Sequence, residues 1–123
     1  MPLFIVYEDP GWQRLLPLVY LRAVFQLRCG MRDLLGRVLA LTDDAPMLWC
    51  RAELSGVVTE QTALATNGEC SAGTLLLNGR GMWQSLPGGR ADEAAWVGVV
   101  GEQIACVFAD ADLADRLSPD VLL

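Results

Sequence analysis

Short apolar runs that end in turn-forming residues dominate the hydrophobic pattern of this chain. Residues 3–7 (LFIVY) form such a run, and EDPG follows at 8–11. A continuous apolar run that is too short for a helix and is bounded by turn residues predicts a buried strand. Residues 47–50 and 75–77 have the same character, so a buried strand is predicted at each of them.

Apolar residues at helical spacing predict helices between these strands. Over residues 28–41 the apolar side chains recur at i, i+3, i+4, i+7 and i+8 from Met31, which is the stripe of a helix with one buried face. Residues 57–64 have a weaker stripe and contain Thr, which favours helices less, but a helix is predicted there as well. Each predicted helix therefore joins two predicted strands.

The C-terminal part of the sequence predicts a hairpin and one more helix. Residues 96–100 and 104–108 are apolar runs that flank Gly-Glu-Gln at 101–103, a loop typical of β-hairpins. Asp110 then stands where it can cap a short helix that ends before Pro119.

The order of these elements predicts one α/β domain over residues 1–123. Strands that alternate with helices in the first 80 residues indicate a mainly parallel, Rossmann-like sheet flanked by helices, with the C-terminal hairpin as an antiparallel addition. A length of 123 residues suits a single domain. The Pro-Gly-Gly segment within residues 85–93 is predicted to be a flexible loop rather than a domain boundary.

Composition and charge exclude whole classes of function. The chain is 53% hydrophobic and 20% charged, with a net charge of −6 and neither Lys nor His. Because its basic residues are all Arg and are spread along the chain, no basic face for nucleic acid is expected. The lack of His excludes Ser-His-Asp and Cys-His nucleophiles within this chain. Chemistry here would depend on carboxylates, Arg, backbone amides or a hard metal ion.

The cysteines and the length of the apolar runs indicate a reducing, aqueous environment. The cysteines lie 20 or more positions apart and have no His to complete a zinc set, so they are expected to be buried reduced thiols: Cys29, Cys50, Cys70 and Cys106. No secretory leader pattern is found, and no apolar stretch approaches the ~20 residues of a membrane helix. The expectation is a cytoplasmic protein without a membrane partner.

The turn after the first predicted strand is the candidate ligand site. In open α/β sheets ligands bind beyond the carboxyl ends of the strands, where turn amides face an anion. Residues 9–14 (DPGWQR) occupy that position. Gly11 would allow close approach of the backbone, and Trp12 is a candidate for stacking on a base. Glu8 and Asp9, however, bring negative charge to the place where phosphate would bind.

A resemblance to a known family lies over this turn. The segment EDPGWQRLLPLVYLRAV at 8–24 resembles the signature of sugar-phosphate nucleotidyltransferases, in which a Gly-rich loop precedes Arg-Leu-x-Pro-Leu-Thr and a Pro-Lys pair. RLLPL at 14–18 carries the match. Over about residues 4–35 the chain is more similar to sugar nucleotidyltransferases related to the N-acetylglucosamine-1-phosphate uridyltransferase family. That resemblance implies transfer of a nucleoside monophosphate to a sugar 1-phosphate, with Mg²⁺ and loss of pyrophosphate.

The resemblance implies a set of site residues. Arg14, at the motif arginine, is the implied catalytic residue. The implied substrate-binding residues are Asp9, Gly11, Trp12, Arg14, Arg22 and Arg80. Arginine forks at 14 and 22 would clamp phosphate.

The chain also departs from the family pattern. Val19 replaces the Thr of the motif, Ala-Val at 23–24 replaces Pro-Lys, and Arg80 stands where LLLNGR would carry a metal-binding Asp. Candidate carboxylates for Mg²⁺ are Asp9 or the pair at 110 and 112, and the metal ligands stay unassigned. Loss of one stabilising group commonly costs ~10²–10³ in rate, so these departures weaken the prediction of catalysis.

Structural roles compete for the same residues. Arg14, Arg22 and Arg28 are alternatively surface residues that form salt bridges with the nearby acids Glu8, Asp9 and Asp33. The Asp9 side chain alternatively bonds to the backbone of its own turn. Asp110 is alternatively a helix cap.

Two functions of different class follow. The first is a nucleotidyltransferase-like domain that binds a nucleotide or sugar phosphate. The second is a non-catalytic interaction or regulatory domain whose apolar surface, such as residues 15–21, docks a β-helix domain or a second copy of the chain. In the related proteins a left-handed β-helix of hexapeptide repeats usually follows, and this chain contains no such repeat.

Overall fold

A mixed five-stranded sheet forms the centre of the fold. The computed structural model describes residues 4–16, 22–29, 32–42, 45–70, 73–81, 83, 95–101 and 103–119. The strands in these ranges are β1 (Phe4–Tyr7), β2 (Arg28–Cys29), β3 (Arg32–Asp33), β4 (Met47–Trp49), β5 (Thr74–Asn78), β6 (Trp96–Val100) and β7 (Gln103–Ala109). The helices are α1 (Leu34–Leu39), α2 (Ser55–Thr62) and α3 (Ala111–Arg116), with 3₁₀ turns at Pro10–Leu15, Val24–Gln26 and Ala52–Leu54.

The strand directions correct the predicted sheet. The order is β4-β1-β5-β7-β6, in which β1 runs parallel to β4 and β5, whereas β7 runs antiparallel to β5 and β6. The α/β class is confirmed, but the prediction of a mainly parallel, Rossmann-like sheet is wrong. The hairpin after β6 turns the chain back, so β7 lies between β6 and β5 and runs antiparallel to both.

The predicted strands and hairpin are confirmed. The described residues of β4 and β5 are buried throughout, which explains why these strands read as continuous apolar runs. The hairpin joins β6 to β7 at Gly101, whose φ of 63° suits a residue without a Cβ. Gln103 pairs with Val100 and so belongs to β7 rather than to the predicted loop.

The prediction of a long helix over residues 28–41 is wrong. Residues 28–29 and 32–33 pair as a small antiparallel ribbon, and α1 begins only at Leu34. The Asp33 carboxylate accepts a hydrogen bond of 2.6 Å from the Gly36 amide, so it acts as the N-cap of α1. This local cap outweighs the helical spacing of the residues before it. Of the predicted apolar stripe, Leu34, Leu35 and Val38 are buried as expected, whereas Leu39 is exposed.

Helices cover both faces of the sheet, as predicted. On one face Val6 and the neighbouring strands pack against buried side chains of α1 and α2. On the other face Ile5, Tyr7 and Trp49 belong to an apolar cluster that includes Ala114 of α3. Alternate residues of β1 enter opposite clusters, as the period of a strand requires. Burial of each large apolar side chain contributes about 1.5–3 kcal/mol.

Two of the described cysteines follow the prediction, since Cys50 and Cys106 are buried thiols that form no disulfide. Cys70 is only half-buried. Burial, reinforced by the charge of Glu8, raises the pKa of Cys50 to about 12. Burial also raises the pKa of Cys70 and Cys106, so the three thiols are protonated near neutral pH. The side chain of Cys29 lies outside the described part of the structure.

Two other predictions are only partly covered by the structure. The loop predicted within residues 85–93 lies outside the described residues. In the apolar run at 15–21, Leu15 is half-buried and Leu16 is exposed, and the remainder lies outside the described ranges. Within the described ranges, none of the helices has the length and apolar character that a membrane crossing requires.

The predicted cap of α3 is confirmed and can be tested by mutation. The Asp110 carboxylate accepts a hydrogen bond of 2.9 Å from the Leu113 amide. We expect Asp110→Ala to lower the free energy of unfolding by about 0.5–2 kcal/mol, because this amide loses its acceptor. The matched control Asp115→Ala, at an exposed position near the end of α3, should leave stability almost unchanged. Urea unfolding measures both, and equal effects of the two substitutions would contradict the capping role.

Candidate functional site

The register of the sheet brings three chain segments together at the end of β1. Tyr7 pairs with Trp49 of β4 on one side and with Asn78 of β5 on the other. Because these strands are parallel, the residues that follow them emerge at the same edge of the sheet. Two acids follow β1, and an arginine stands two positions after each strand-partner of Tyr7, at Arg51 and Arg80.

The first acid, Glu8, forms a buried ion pair. Its carboxylate accepts hydrogen bonds of 2.9 Å from the backbone amides of Val24 and Arg51. It also accepts bonds of 3.2 Å from Nε and Nη2 of the Arg51 guanidinium. A buried carboxylate with fewer partners would lower the free energy of unfolding by several kcal/mol, because its loss of hydration would not be compensated. The charge of Glu8 is therefore neutralised inside the protein. The expectation from the sequence, that Glu8 repels a bound phosphate, is not met.

Trp12 completes the surroundings of this pair. The Arg51 guanidinium lies over the Trp12 ring, with Cζ 4.3 Å from the ring centroid, which is a cation–π contact. Arg51 Nη2 also donates a hydrogen bond of 3.0 Å to the carbonyl oxygen of Arg22. The cluster Glu8–Arg51–Trp12 thus fixes the turn after β1 to the end of β4 and to the segment at 22–24. Stacking of Trp12 on a base stays a prediction.

The second acid, Asp9, connects its own turn to the end of β5. Its Oδ1 accepts a hydrogen bond of 3.0 Å from the Gly11 amide and caps the 3₁₀ turn. Its Oδ2 accepts a bond of 2.9 Å from the Asn78 side-chain amide and one of 2.6 Å from Arg80 Nη2. The structural alternative for Asp9, a hydrogen bond within its turn, is confirmed, and the same side chain also forms an ion pair.

Gly11 has a different neighbour from the one expected. A Cβ atom at this position would lie 2.6 Å from Cζ of Arg80, which is closer than atoms can approach. The lack of a side chain at Gly11 therefore makes room for the Arg80 guanidinium. Whether Gly11 also contacts a ligand stays a prediction.

A cleft of about 240 Å³ opens beside this ion pair, lined in part by Asn78, Arg80, Trp83, Gln103 and Ile104. Arg80 Nη2 donates a hydrogen bond of 2.6 Å to the Gln103 side chain, and Trp83 Nε1 donates one of 3.1 Å to the Asn78 carbonyl oxygen. Among the described residues that line this cleft, the charged one is Arg80. The cleft thus combines a cation with amide groups and an aromatic ring.

The Tyr7 side chain links two strands at this edge of the sheet. Its hydroxyl donates a hydrogen bond of 3.0 Å to the carbonyl oxygen of Ile104. Burial, with the negative charge of Asp9 as a further contribution, raises the pKa of Tyr7 well above its ordinary value. Tyr7 is therefore a neutral donor that ties β1 to β7 across β5, and it has no acid–base role near neutral pH.

The structure brings part of the predicted site together. Asp9, Gly11 and Arg80 are in mutual contact, and Trp12 lies in the adjoining cluster. The side chains of Arg14 and Arg22 are exposed, and neither forms an ion pair with the described residues. Arg14 as a catalytic residue stays a prediction, as does phosphate binding by both arginines.

The expected metal site finds no support in the described ranges. No group of three or more His, Cys, Asp or Glu side chains there could hold a metal ion. The Asp110 carboxylate caps α3, in agreement with its structural alternative. The carboxylate of Asp9 is engaged by three donors.

Sequence reasoning missed Arg51 and Asn78 and misjudged Glu8. One signal was available: Arg51 follows the buried run at 47–50 much as Arg80 follows the run at 75–77. The strand that ends in Glu-Asp is flanked by two strands, and each of these is followed by an arginine. This arrangement indicates two ion pairs. That inference requires knowing which strands flank β1, and local patterns do not contain this information.

The buried Glu8–Arg51 pair can be tested by double mutation. We expect Glu8→Gln to lower the free energy of unfolding by about 3–5 kcal/mol, because Arg51 would keep a buried charge without its counter-ion. Adding Arg51→Met should recover a large part of that loss, since the stranded charge is then removed. Urea unfolding of both variants measures this. A cost below about 1 kcal/mol for the single variant would contradict a buried pair.

Comparison with known proteins adds one finding to this geometry. The family model described as sugar nucleotidyl transferase matches residues 4–122, nearly the whole chain and all of the elements that form the site. Searches of curated proteins and of solved structures gave no match. The resemblance seen in the turn after β1 is therefore confirmed at the level of the family: the chain belongs to the sugar nucleotidyl transferase family.

Proposed function

We propose that this domain binds the phosphate group of a nucleotide or sugar phosphate in the cleft beside Arg80. The observation that carries the proposal is the position of the Arg80 guanidinium, on the wall of that cleft at the carboxyl end of β5. Family membership supports a ligand of this class. Arginine is suited to the task because its planar fork matches two phosphate oxygens.

The lining of the cleft supports a phosphorylated sugar as the occupant. The Gln103 side chain offers an amide nitrogen that can bond to hydroxyls, and the Trp83 indole offers an apolar face. The Asn78 amide is already engaged, since its nitrogen donates to Asp9 and Ile104 and its oxygen accepts from the Arg80 backbone. The volume of about 240 Å³ lies below the ~300–1,000 Å³ typical of sites that enclose a drug-sized ligand. We therefore expect the cleft to hold one sugar phosphate, or one end of a nucleotide, rather than a whole sugar nucleotide.

Arg14 and Arg22 are proposed as additional phosphate contacts outside the cleft. Arg14 lies in the last turn of the 3₁₀ segment that Asp9 caps, and its side chain is exposed. Arg22 is attached to the neighbouring cluster through its carbonyl oxygen. Exposed arginines contribute less than one on the wall of a cleft because water screens their charge. We assign them a smaller share of the binding than Arg80.

Mg²⁺, which the resemblance implies, fits the described carboxylates poorly. A cation at Asp9 would stand beside the Arg80 guanidinium, which donates to the same Oδ2 at 2.6 Å. Asp110 uses its Oδ1 for the cap of α3. Hard divalent cations prefer sets of carboxylate and carbonyl oxygens with no positive group between them. We therefore propose no role for a metal ion at these carboxylates.

The more specific relationship stays within the proposal. If the chain is related to N-acetylglucosamine-1-phosphate uridyltransferases, its ancestral reaction is transfer of a nucleoside monophosphate to a sugar 1-phosphate. Val19 and the Ala-Val pair at 23–24 replace the Thr and the Pro-Lys of that motif. Nucleotidyl transfer depends on groups that offset charge at the α-phosphate. We therefore propose ligand binding with weak or no turnover.

The binding proposal is tested by calorimetric titration with UTP, N-acetylglucosamine 1-phosphate and pyrophosphate. At least one of these ligands should bind the wild-type chain with micromolar affinity. Arg80→Gln should weaken that binding about tenfold or more, because a charge-assisted hydrogen bond contributes about 1.5–3 kcal/mol. Arg14→Gln should have a smaller effect.

The matched control is Arg116→Gln, which removes the same charge from an exposed position on α3. It should bind as the wild type does. Absence of heat with all three ligands would refute the proposal, and so would full binding by Arg80→Gln.

A second function, self-association, is favoured by the exposed edge of the sheet. β6 is an edge strand, and Val97, Val99 and Val100 are 51%, 62% and 73% exposed. None of the residues of β6 is charged or Pro, two of the features that prevent strand edges from pairing. A third such feature, a shift of register, is present between Gly98 and Val99, so pairing with a second copy would involve the strand on one side of that shift. We infer that β6 pairs with β6 of a second copy. Docking of a β-helix domain, the other occupant expected from the sequence, would leave this chain monomeric.

Sedimentation equilibrium tests the self-association. The wild-type chain should form a dimer, and Val99→Lys should be monomeric because it places a charge on the paired edge. Val57→Lys, at an exposed valine of α2, is the matched control and should remain dimeric. A monomeric wild-type chain at its highest soluble concentration would contradict this function.

A further inference from the structure

The Asp9 carboxylate forms an ion pair with the Arg80 guanidinium, the group to which the proposed ligand would bind. We propose that the Asp9 carboxylate is a built-in competitor: a phosphate group binds by taking its place on Arg80, and it does so without a metal ion. This inference rests on the proposed function, since it concerns how the same cleft is filled. It gives the Asp9–Arg80 pair a role beyond holding the fold.

The first support is the incomplete use of the guanidinium. Arg80 offers five N–H donors, but its contacts to Asp9 and Gln103 both come from Nη2. Its Nε is buried and has no hydrogen-bond partner among the described residues. A buried donor without an acceptor is a cost of the present arrangement. Nε lies against the Gly11 turn, so a phosphate group reaches it only when the guanidinium turns away from that turn. The turned fork can then donate from two nitrogens to one phosphate group.

The second support is the contrast with the other ion pair at the same edge. In the Glu8–Arg51 pair both side chains are almost fully buried, at 0% and 7% exposure, and two guanidinium nitrogens contact the carboxylate. In the Asp9–Arg80 pair the exposures are 13% and 23%, and one nitrogen makes the contact. The first pair is buried, whereas Arg80 of the second pair lines the cleft. Of the two, the Asp9–Arg80 pair is the one that a ligand can reach.

The third support is that Asp9 can release Arg80 without losing its other contacts. Its Oδ1 holds the Gly11 amide, and its Oδ2 keeps the Asn78 side chain as a donor. The carboxylate would therefore stay capped in its turn when Arg80 turns to a ligand. Because the pair is partly exposed, water screens its charges and lowers its net contribution, so a phosphate group that bonds to two nitrogens can outcompete it.

The arrangement also explains why a metal ion is not required. Arg80 already supplies a positive charge at the place where the ligand phosphate would lie. A divalent cation at Asp9 would face that guanidinium, and the repulsion between the two cations would oppose its binding. Only the protein molecules in which Asp9 has released Arg80 can then bind the ligand. The apparent affinity for the ligand is therefore lowered by its competition with Asp9.

The test is a pyrophosphate titration in the presence of EDTA. Asp9→Asn keeps an oxygen for the Gly11 amide but loses the charge, and Asp9→Ser keeps a capping hydroxyl but cannot reach Arg80. Both variants should bind pyrophosphate about 3- to 10-fold more tightly than the wild type, since the competing ion pair is gone. Asp115→Asn, which removes an equal charge from the exposed surface of α3, should bind as the wild type does.

The outcomes separate this inference from the proposed function. If the wild type binds pyrophosphate and both Asp9 variants bind it more weakly, with unchanged circular dichroism, Asp9 helps the ligand and the inference is overturned while the proposed function stands. A strict requirement for Mg²⁺ also overturns it. If neither the wild type nor the Asp9 variants bind pyrophosphate, UTP or N-acetylglucosamine 1-phosphate, both the inference and the proposed function fail.

Discussion

Two consecutive acids at the end of β1 must be neutralised, and the arrangement of the site depends on that constraint. Glu8 and Asp9 leave the strand in opposite directions, and each meets the arginine that follows the strand on its own side. The parallel pairing of β1 with β4 and β5 makes this possible, because it carries Arg51 and Arg80 to the same edge. The turn with Gly11 and Trp12 then packs on the two guanidinium groups.

The two ion pairs have different surroundings, and we therefore assign a structural role to Glu8–Arg51 and propose a role in ligand binding for Asp9–Arg80. Glu8–Arg51 is sealed by Trp12 and by backbone amides, so it fixes the turn and the segment at 22–24. Asp9–Arg80 borders a cleft with amide groups and an indole, where a guanidinium can meet a phosphate. The chain belongs to the sugar nucleotidyl transferase family, and the resemblance implies that Arg80 stands where related proteins carry an acidic metal ligand. We propose that this arginine recognises an anion in place of a metal ion.

The sequence predicted those features that depend on local pattern. Strands that are buried on both faces appear in the sequence as apolar runs, and the position of Asp110 predicted the cap of α3. The direction of β7 and the partners of Glu8 depend on which strands become neighbours, and the spacing of residues does not encode this. The pair at 8 and 51 joins positions 43 residues apart. The predicted helix over residues 28–41 is wrong in its first part for a local reason, because the Asp33 carboxylate caps α1 and the helix begins only at Leu34. The motif indicated Arg14, and the departure from the motif at LLLNGR indicated Arg80, which is the charged residue among the described residues that line the cleft.

A crystal structure of the chain with pyrophosphate tests the competition between Asp9 and the ligand most directly. We expect phosphate oxygens on two nitrogens of Arg80, with the Asp9 carboxylate still bonded to the Gly11 amide but separated from the guanidinium. The Glu8–Arg51 pair should be unchanged. A structure in which Arg80 remains on Asp9 while the anion binds elsewhere, or binds through a metal ion held by Asp9, would contradict this competition.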